Sequence, residues 1–93
     1  MNKNEAKILI VDDIEDNRYT LERRLKKDGY TNIFLAEGGK VALEMATENK
    51  FDLILLDLMM PDMSGLEVLK YLKVILYKDL FLSLWLLLLM KWK

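Results

Sequence analysis

Two hydrophobic periods alternate along residues 6 to 73. Ile8-Leu9-Ile10-Val11 is an unbroken apolar run rich in β-branched residues, stopped by Asp12-Asp13, and Leu53-Ile54-Leu55-Leu56 is another, stopped by Asp57. Both read as strands buried on two faces. Strands of that kind belong in parallel sheets with helices on each side. Between them, Ile14 to Asp28 places Ile14, Leu21 and Leu25 on one helical face, with Glu22, Arg23, Arg24, Lys26 and Lys27 elsewhere, and Gly29 supplies a left-handed stop. Ile33-Phe34-Leu35-Ala36 predicts a second strand, Gly38-Gly39 a turn, and Val41, Ala42, Met45 and Ala46 a second amphipathic helix ending near Asn49. After Asp57, the loop Leu58-Met59-Met60-Pro61-Asp62-Met63 leads into Ser64-Gly65-Leu66-Glu67, which has the Ser/Glu spacing of a capping box. A third helix follows, with Leu66, Leu69 and Leu72 or Lys73 facing and flanking the sheet. The order β-α-β-α-β-α with short connections and right-handed crossovers makes an open parallel α/β sheet.

Composition narrows the chemistry. The 93 residues hold 14 basic and 15 acidic side chains, one Pro, no Cys and no His. That length fits one small domain, and a net charge of −1 gives no electrostatic reason to bind nucleic acid or anionic lipid. Without Cys or His there is no disulfide, no thiolate, no imidazole zinc site and no Ser-His-Asp triad. Chemistry is left to carboxylates, hydroxyls, lysines or a metal. Met1-Asn2-Lys3-Asn4-Glu5 is polar and lacks a signal-peptide core, so a cytoplasmic setting is expected.

Three carboxylates fall at strand ends: Asp12 and Asp13 after the first strand and Asp57 after the third. If those strands are neighbours, the three converge where open α/β sheets place their ligand crevice. Three anions that close repel, so the cluster needs protons or a cation to offset it. Oxygen-only ligation suits a hard divalent ion, and Mg2+ is the usual choice where carboxylates meet a phosphoryl group. Any one Asp after a strand is equally well an ordinary cap or turn residue. All three together with the Met60-Pro61-Asp62-Met63-Ser64-Gly65 loop point to a site. Lys70 and Lys73 read as surface charges, and Met59, Met60 and Met63 as loop and core fillers.

The stretches Ile8-Leu9-Ile10-Val11-Asp12-Asp13 and Asp52 to Gly65 with Glu67 resemble the two best-known signatures of the response-regulator receiver domains of two-component signalling. The match runs over about residues 6 to 73 in uninterrupted register. The resemblance implies an incomplete flavodoxin-like sheet of order 2-1-3. It implies Asp57 as phosphoacceptor, Mg2+ held by Asp12, Asp13, Asp57 and the backbone carbonyl of Met59, and a sensor histidine kinase or phosphotransfer protein as partner. It further implies a signalling module, not a turnover enzyme. Glu15-Asp16-Asn17-Arg18 resembles the start of helix one in many receivers, where that face helps dock a partner; a solvated helix start is the plainer reading.

Residues 74 to 93 read differently: three Lys and one Asp stand among a crowd of Leu. A receiver continues with a fourth strand ending in Thr or Ser and a fifth ending in Lys, and neither is legible, so Ser83, Lys91 and Lys93 are not assigned to the site. The expectation is a receiver truncated after its third helix, impaired in switching, with residues 1–73 as its N-terminal part. Leu80 to Met90 is eleven residues, short of the roughly 20 that span a bilayer. It lacks the charged face of an interfacial anchor, which argues against a membrane. A buried strand or helix covering the edge of strand three is the plain alternative. Suitable codons for 79 to 93, read two bases on, spell a peptide similar to a receiver's fourth strand, so a shift of reading frame near residues 74 to 79 would account for the tail; the coding DNA tests this. An uncovered third strand and an apolar tail favour self-association. Two rival functions are a non-catalytic interaction or membrane-surface protein driven by the tail, and a haloacid-dehalogenase-like phosphatase. The phosphatase expects Asp-x-Asp after strand one, where this chain has Asp12-Asp13-Ile14-Glu15.

Overall fold

Apolar on both faces, Ile8–Val11 forms an inner strand of the sheet, and all four of its residues are buried. The computed structural model describes residues 2–77 and 87–91. Its elements are β1 (Ile8–Val11), α1 (Glu15–Lys27), β2 (Ile33–Ala36), α2 (Gly39–Glu48), β3 (Leu53–Asp57), α3 (Gly65–Tyr77) and β4 (Leu87–Lys91). The sheet is parallel throughout, in the order β2-β1-β3-β4. The expected 2-1-3 arrangement is therefore present, with a fourth strand added.

Alternation along the strands divides the core. Leu9 and Val11 stand beside Ile54 and Leu56 in register, and these four pack with Ala42 of α2 and Val68 and Leu72 of α3. Burying a Leu or Val of this kind stabilises by about 1.5–3 kcal/mol. Ile8 and Ile10 belong to the opposite face, where α1 lies against β1. No α1 residue is fully buried; Leu21 and Leu25 are half-buried.

Helix ends follow local chemistry. Gly29 has φ +99°, and the bonds Tyr30 N–H to Leu25 O (3.0 Å) and Gly29 N–H to Lys26 O (3.1 Å) close a Schellman motif at the end of α1. Ser64 Oγ accepts the Glu67 N–H at 3.2 Å, the capping bond that starts α3.

Three expectations are corrected. Ile14 is 43% exposed: it is the extended residue before α1, so it does not share the helical face of Leu21 and Leu25. Leu66 is exposed, because a helix starting at Gly65 puts Gly65, Val68 and Leu72 on the inward side, with Leu69 packed against that core. The flank of β3 is not bare: Leu87–Lys91 pairs along it from Leu53↔Leu87 to Asp57↔Lys91. The strand alternative for the tail is the one observed there, and the outer edge belongs to β4. Ser83, most of the apolar stretch and the 74-to-79 region beyond Tyr77 lie outside the described residues. Among those described, no helix is long and apolar enough to cross a membrane.

Candidate carboxylate site at the strand ends

Register alone brings the acids together. Val11 is paired with Leu56, so the next residues, Asp12 and Asp57, stand level at the C-terminal ends of neighbouring parallel strands. Asp12 and Asp57 are each only 1% exposed, and Asp13 is half-buried. One carboxylate oxygen from each of Asp12, Asp13 and Asp57 lies within 4.8 Å of the others.

Backbone donors hold the two buried acids in place. Asp12 Oδ1 accepts the Ile14 N–H at 3.0 Å, with Asn17 Nδ2 at a longer 3.5 Å, and the Asp12 N–H donates to Ala36 O at 3.1 Å. Arg18 Nη1 donates to the Asp12 carbonyl at 2.7 Å. Asn17 and Arg18 thus turn toward the strand end, while Glu15 and Asp16 stay exposed. Met59 N–H donates to Asp57 Oδ1 at 3.1 Å, fixing the rotation of that carboxylate. The Met59 side chain is 63% exposed, not a filler, whereas Met60 is buried and Met63 packs on the core.

The loop after β3 is closed by Gly65, whose N–H donates to Leu58 O at 2.8 Å. A Cβ at Gly65 would meet the Asp57 carbonyl oxygen and lie 2.7 Å from Leu58 Cα, so no other residue fits without moving backbone. At the far side of the loop, Asp62 reaches α2: Oδ1 accepts the Gly39 N–H and Oδ2 the Lys40 N–H, both at 3.2 Å. Desolvation works to raise the Asp62 pKa, but the N–H groups of Lys40, Gly39, Asp62 and Met63 outweigh it and hold the carboxyl below its ordinary value.

Sequence reasoning gave Asp62 no role of its own, because the Gly39 and Lys40 N–H groups it caps are remote in the chain; Arg18, singled out only within the docking face at the start of helix one, holds the Asp12 carbonyl. It also left Lys91 aside, and the β3–β4 register places Lys91 level with Asp57. Lys70 is exposed, as expected of a surface charge.

Among the described residues the donor set is three carboxylates, all oxygen. That chemistry fits a hard divalent cation such as Mg2+.

Comparison with known proteins agrees with this geometry. A family model for the response regulator receiver domain matches residues 8–79. Sporulation initiation phosphotransferase F of Bacillus subtilis (strain 168) is 46% identical over 69 residues, covering 74% of this chain and 55% of that protein. Transcriptional regulatory protein YdfI of the same organism is 50% identical over 68 residues, covering 72% of this chain and 32% of that protein. The chain therefore spans about half the length of the first and a third of the second. Among solved structures, Vibrio cholerae chemotaxis protein CheY4 superposes with a TM-score of 0.78 at 32% identity, over 91% of this chain and 66% of that one. Thermotoga maritima response regulator protein TrrA, solved in complex with Mg2+ and BeF, gives 0.76 at 33% identity, over 94% and 69%. Nothing in these comparisons supports the phosphatase or the tail-driven reading. Strand order, the level pair of buried acids and the match over residues 8–79 together show that this chain belongs to the response regulator receiver domain family.

Proposed function

We propose that the chain accepts a phosphoryl group on Asp57 from a phosphohistidine of a sensor histidine kinase or phosphotransfer protein, with Mg2+ as cofactor. The observation that carries this reading is the packing of three carboxylate oxygens within 4.8 Å, two of them on buried residues, at one end of a parallel sheet. Asp12, Asp13, Asp57 and the Met59 carbonyl would hold the ion. Bound there, it supplies positive charge that screens the carboxylates and the incoming phosphoryl oxygens.

The protein's own part is positioning. A carboxylate oxygen is itself a nucleophile and needs no general base. An Asp57 oxygen forms the new P–O bond as the donor's P–N bond breaks, and the electron pair leaves with the imidazole nitrogen. The Met59 N–H holds the carboxylate in one orientation through Oδ1. Arg18 and the Ile14 N–H fix Asp12 beside it. The mixed anhydride formed on Asp57 stores the signal; the chain acts as a signalling module in the cytoplasm and turns over no substrate of its own.

The test is to incubate the protein with a small-molecule phosphodonor and Mg2+ and to weigh it intact. Wild type should gain one phosphoryl group, which EDTA prevents and Asp57→Asn abolishes. A gain that persists in Asp57→Asn refutes the assignment of the acceptor, and no gain in wild type refutes the proposed activity.

A further inference from the structure

Helix α2 begins without a cap of its own. Its N-cap residue is Gly38, which has no side chain, and its first turn contains no acidic residue. The first N–H groups of any helix lack intrahelical acceptors, and its N-terminus carries partial positive charge. Here the acceptor comes from another element. Asp62, in the loop after β3, takes the Gly39 and Lys40 N–H groups on its two carboxylate oxygens, each at 3.2 Å.

Gly38 is what lets Asp62 in, and Gly39 lets the helix start approach α3 and Met63. A Cβ on Gly38 would lie 2.8 Å from Asp62 Oδ2, and one on Gly39 would lie 2.8 Å from Val68 Cγ2 and 2.9 Å from Met63 Cβ. The backbone at Gly38 is extended (φ −167°, ψ 174°), a conformation open to any residue, so close approach and not backbone conformation explains the glycine there. The same loop is tied at its start by Met59 N–H to Asp57 Oδ1, and across its base by Gly65 N–H to Leu58 O. Asp62 is the tie between these points, and it anchors the loop to a helix from a different crossover.

We propose that Asp62 is a positioning residue: by capping α2 from a distance it fixes the Met59 segment against Asp57 and thereby sets how tightly the carboxylate cluster holds a divalent cation. The cation part rests on the function proposed above; the loop part does not. An ordinary cap would steady α2 alone. A positioning role also reaches Met59.

Amide hydrogen exchange and Mg2+ calorimetry on the full chain separate the two. Asp62→Ala should speed exchange at Gly39 and Lys40 about fivefold, the size of losing one helix cap. It should also speed exchange at Met59 and weaken Mg2+ binding by a similar factor. Asp62→Asn keeps one of the two acceptor oxygens and loses the charge, so its effect at Met59 should be smaller than that of Asp62→Ala. Gly38→Ala, which changes no charge, should reproduce Asp62→Ala by displacing the carboxylate. If Met59 exchanges at the wild-type rate in Asp62→Ala and Gly38→Ala while Gly39 and Lys40 loosen, the positioning role is overturned. Wild type that binds no Mg2+ at all refutes the proposed function instead, and the Met59 exchange still decides the loop.

Discussion

Removing one acid from the cluster should stabilise the metal-free protein. Consider Asp13→Asn, nearly isosteric and charge-neutral, at the half-buried member of the trio. Two unit charges 4.8 Å apart repel by about 3.5 kcal/mol at an effective dielectric of about 20. Asp13 faces two such charges, but Asp12 is its chain neighbour, so most of that repulsion persists in the unfolded chain. The fold-specific part is mainly Asp13 against Asp57. Partial exposure of Asp13 screens it further, leaving an expected gain of about 1–2 kcal/mol at neutral pH and low salt.

The assay is thermal unfolding in EDTA and in Mg2+. At about 4–8 °C per kcal/mol for a domain of this size, Asp13→Asn should melt measurably above wild type in EDTA. Saturating Mg2+ reverses the order: ligand at about 100 times its Kd adds about 2.7 kcal/mol to wild type, and less to a variant lacking one ligand. A melting point for Asp13→Asn at or below wild type in EDTA would refute the repulsion argument. A wild-type melting point indifferent to Mg2+ would refute the cation.

Further outcomes follow from single contacts. Gly65→Ala should cost about 1–3 kcal/mol, read by urea unfolding, because its Cβ would press on the Asp57 carbonyl and Leu58 Cα, which are backbone. Ser64→Ala should cost about 1 kcal/mol through loss of the Glu67 N–H cap, and Ser64→Asp should restore most of it. Asp62 has its pKa lowered from 3.8, so its charged form stabilises the fold above that value and the contribution fades as pH falls through the lowered one. The stability difference between wild type and Asp62→Asn should therefore be largest near neutrality and close in acid, as measured by urea midpoints across pH. Deleting residues 78–93 removes β4 and leaves the β3 edge unpaired, so sedimentation should show concentration-dependent association that exceeds that of the full chain.

The inner half of this fold was legible because its signals are local and unopposed. Ile8–Val11 and Leu53–Leu56 are continuous apolar runs with Asp at their ends, and in a parallel sheet those ends must meet. Gly29 and Ser64 are terminators whose chemistry is complete within five residues. Asp62 was hidden because its partners, the Gly39 and Lys40 N–H groups, carry no side-chain signature. Ile14 and Leu66 were misplaced by one helical register at the ends of α1 and α3, where apolar residues outside the periodic face look the same as those on it. The run before Lys91 is Leu-rich, with no β-branched residue and no period, so strand and helix were equally compatible with it.

Burying two carboxylates at strand ends opposes folding, and backbone N–H groups work against that cost. Asp12 and Asp57 each receive a backbone N–H on one oxygen, from Ile14 and Met59. Such bonds contribute about 1.5–3 kcal/mol to a charged acceptor, while desolvation of a carboxylate costs several. At the neighbouring strand end β2 stops at Ala36, and the acid that follows it, Glu37, is exposed. Register makes the cost greater still, since Val11↔Leu56 sets the acids level where a shift of one residue would separate them onto opposite faces. Fold stability alone does not call for that arrangement; the function proposed above for the cluster would account for it.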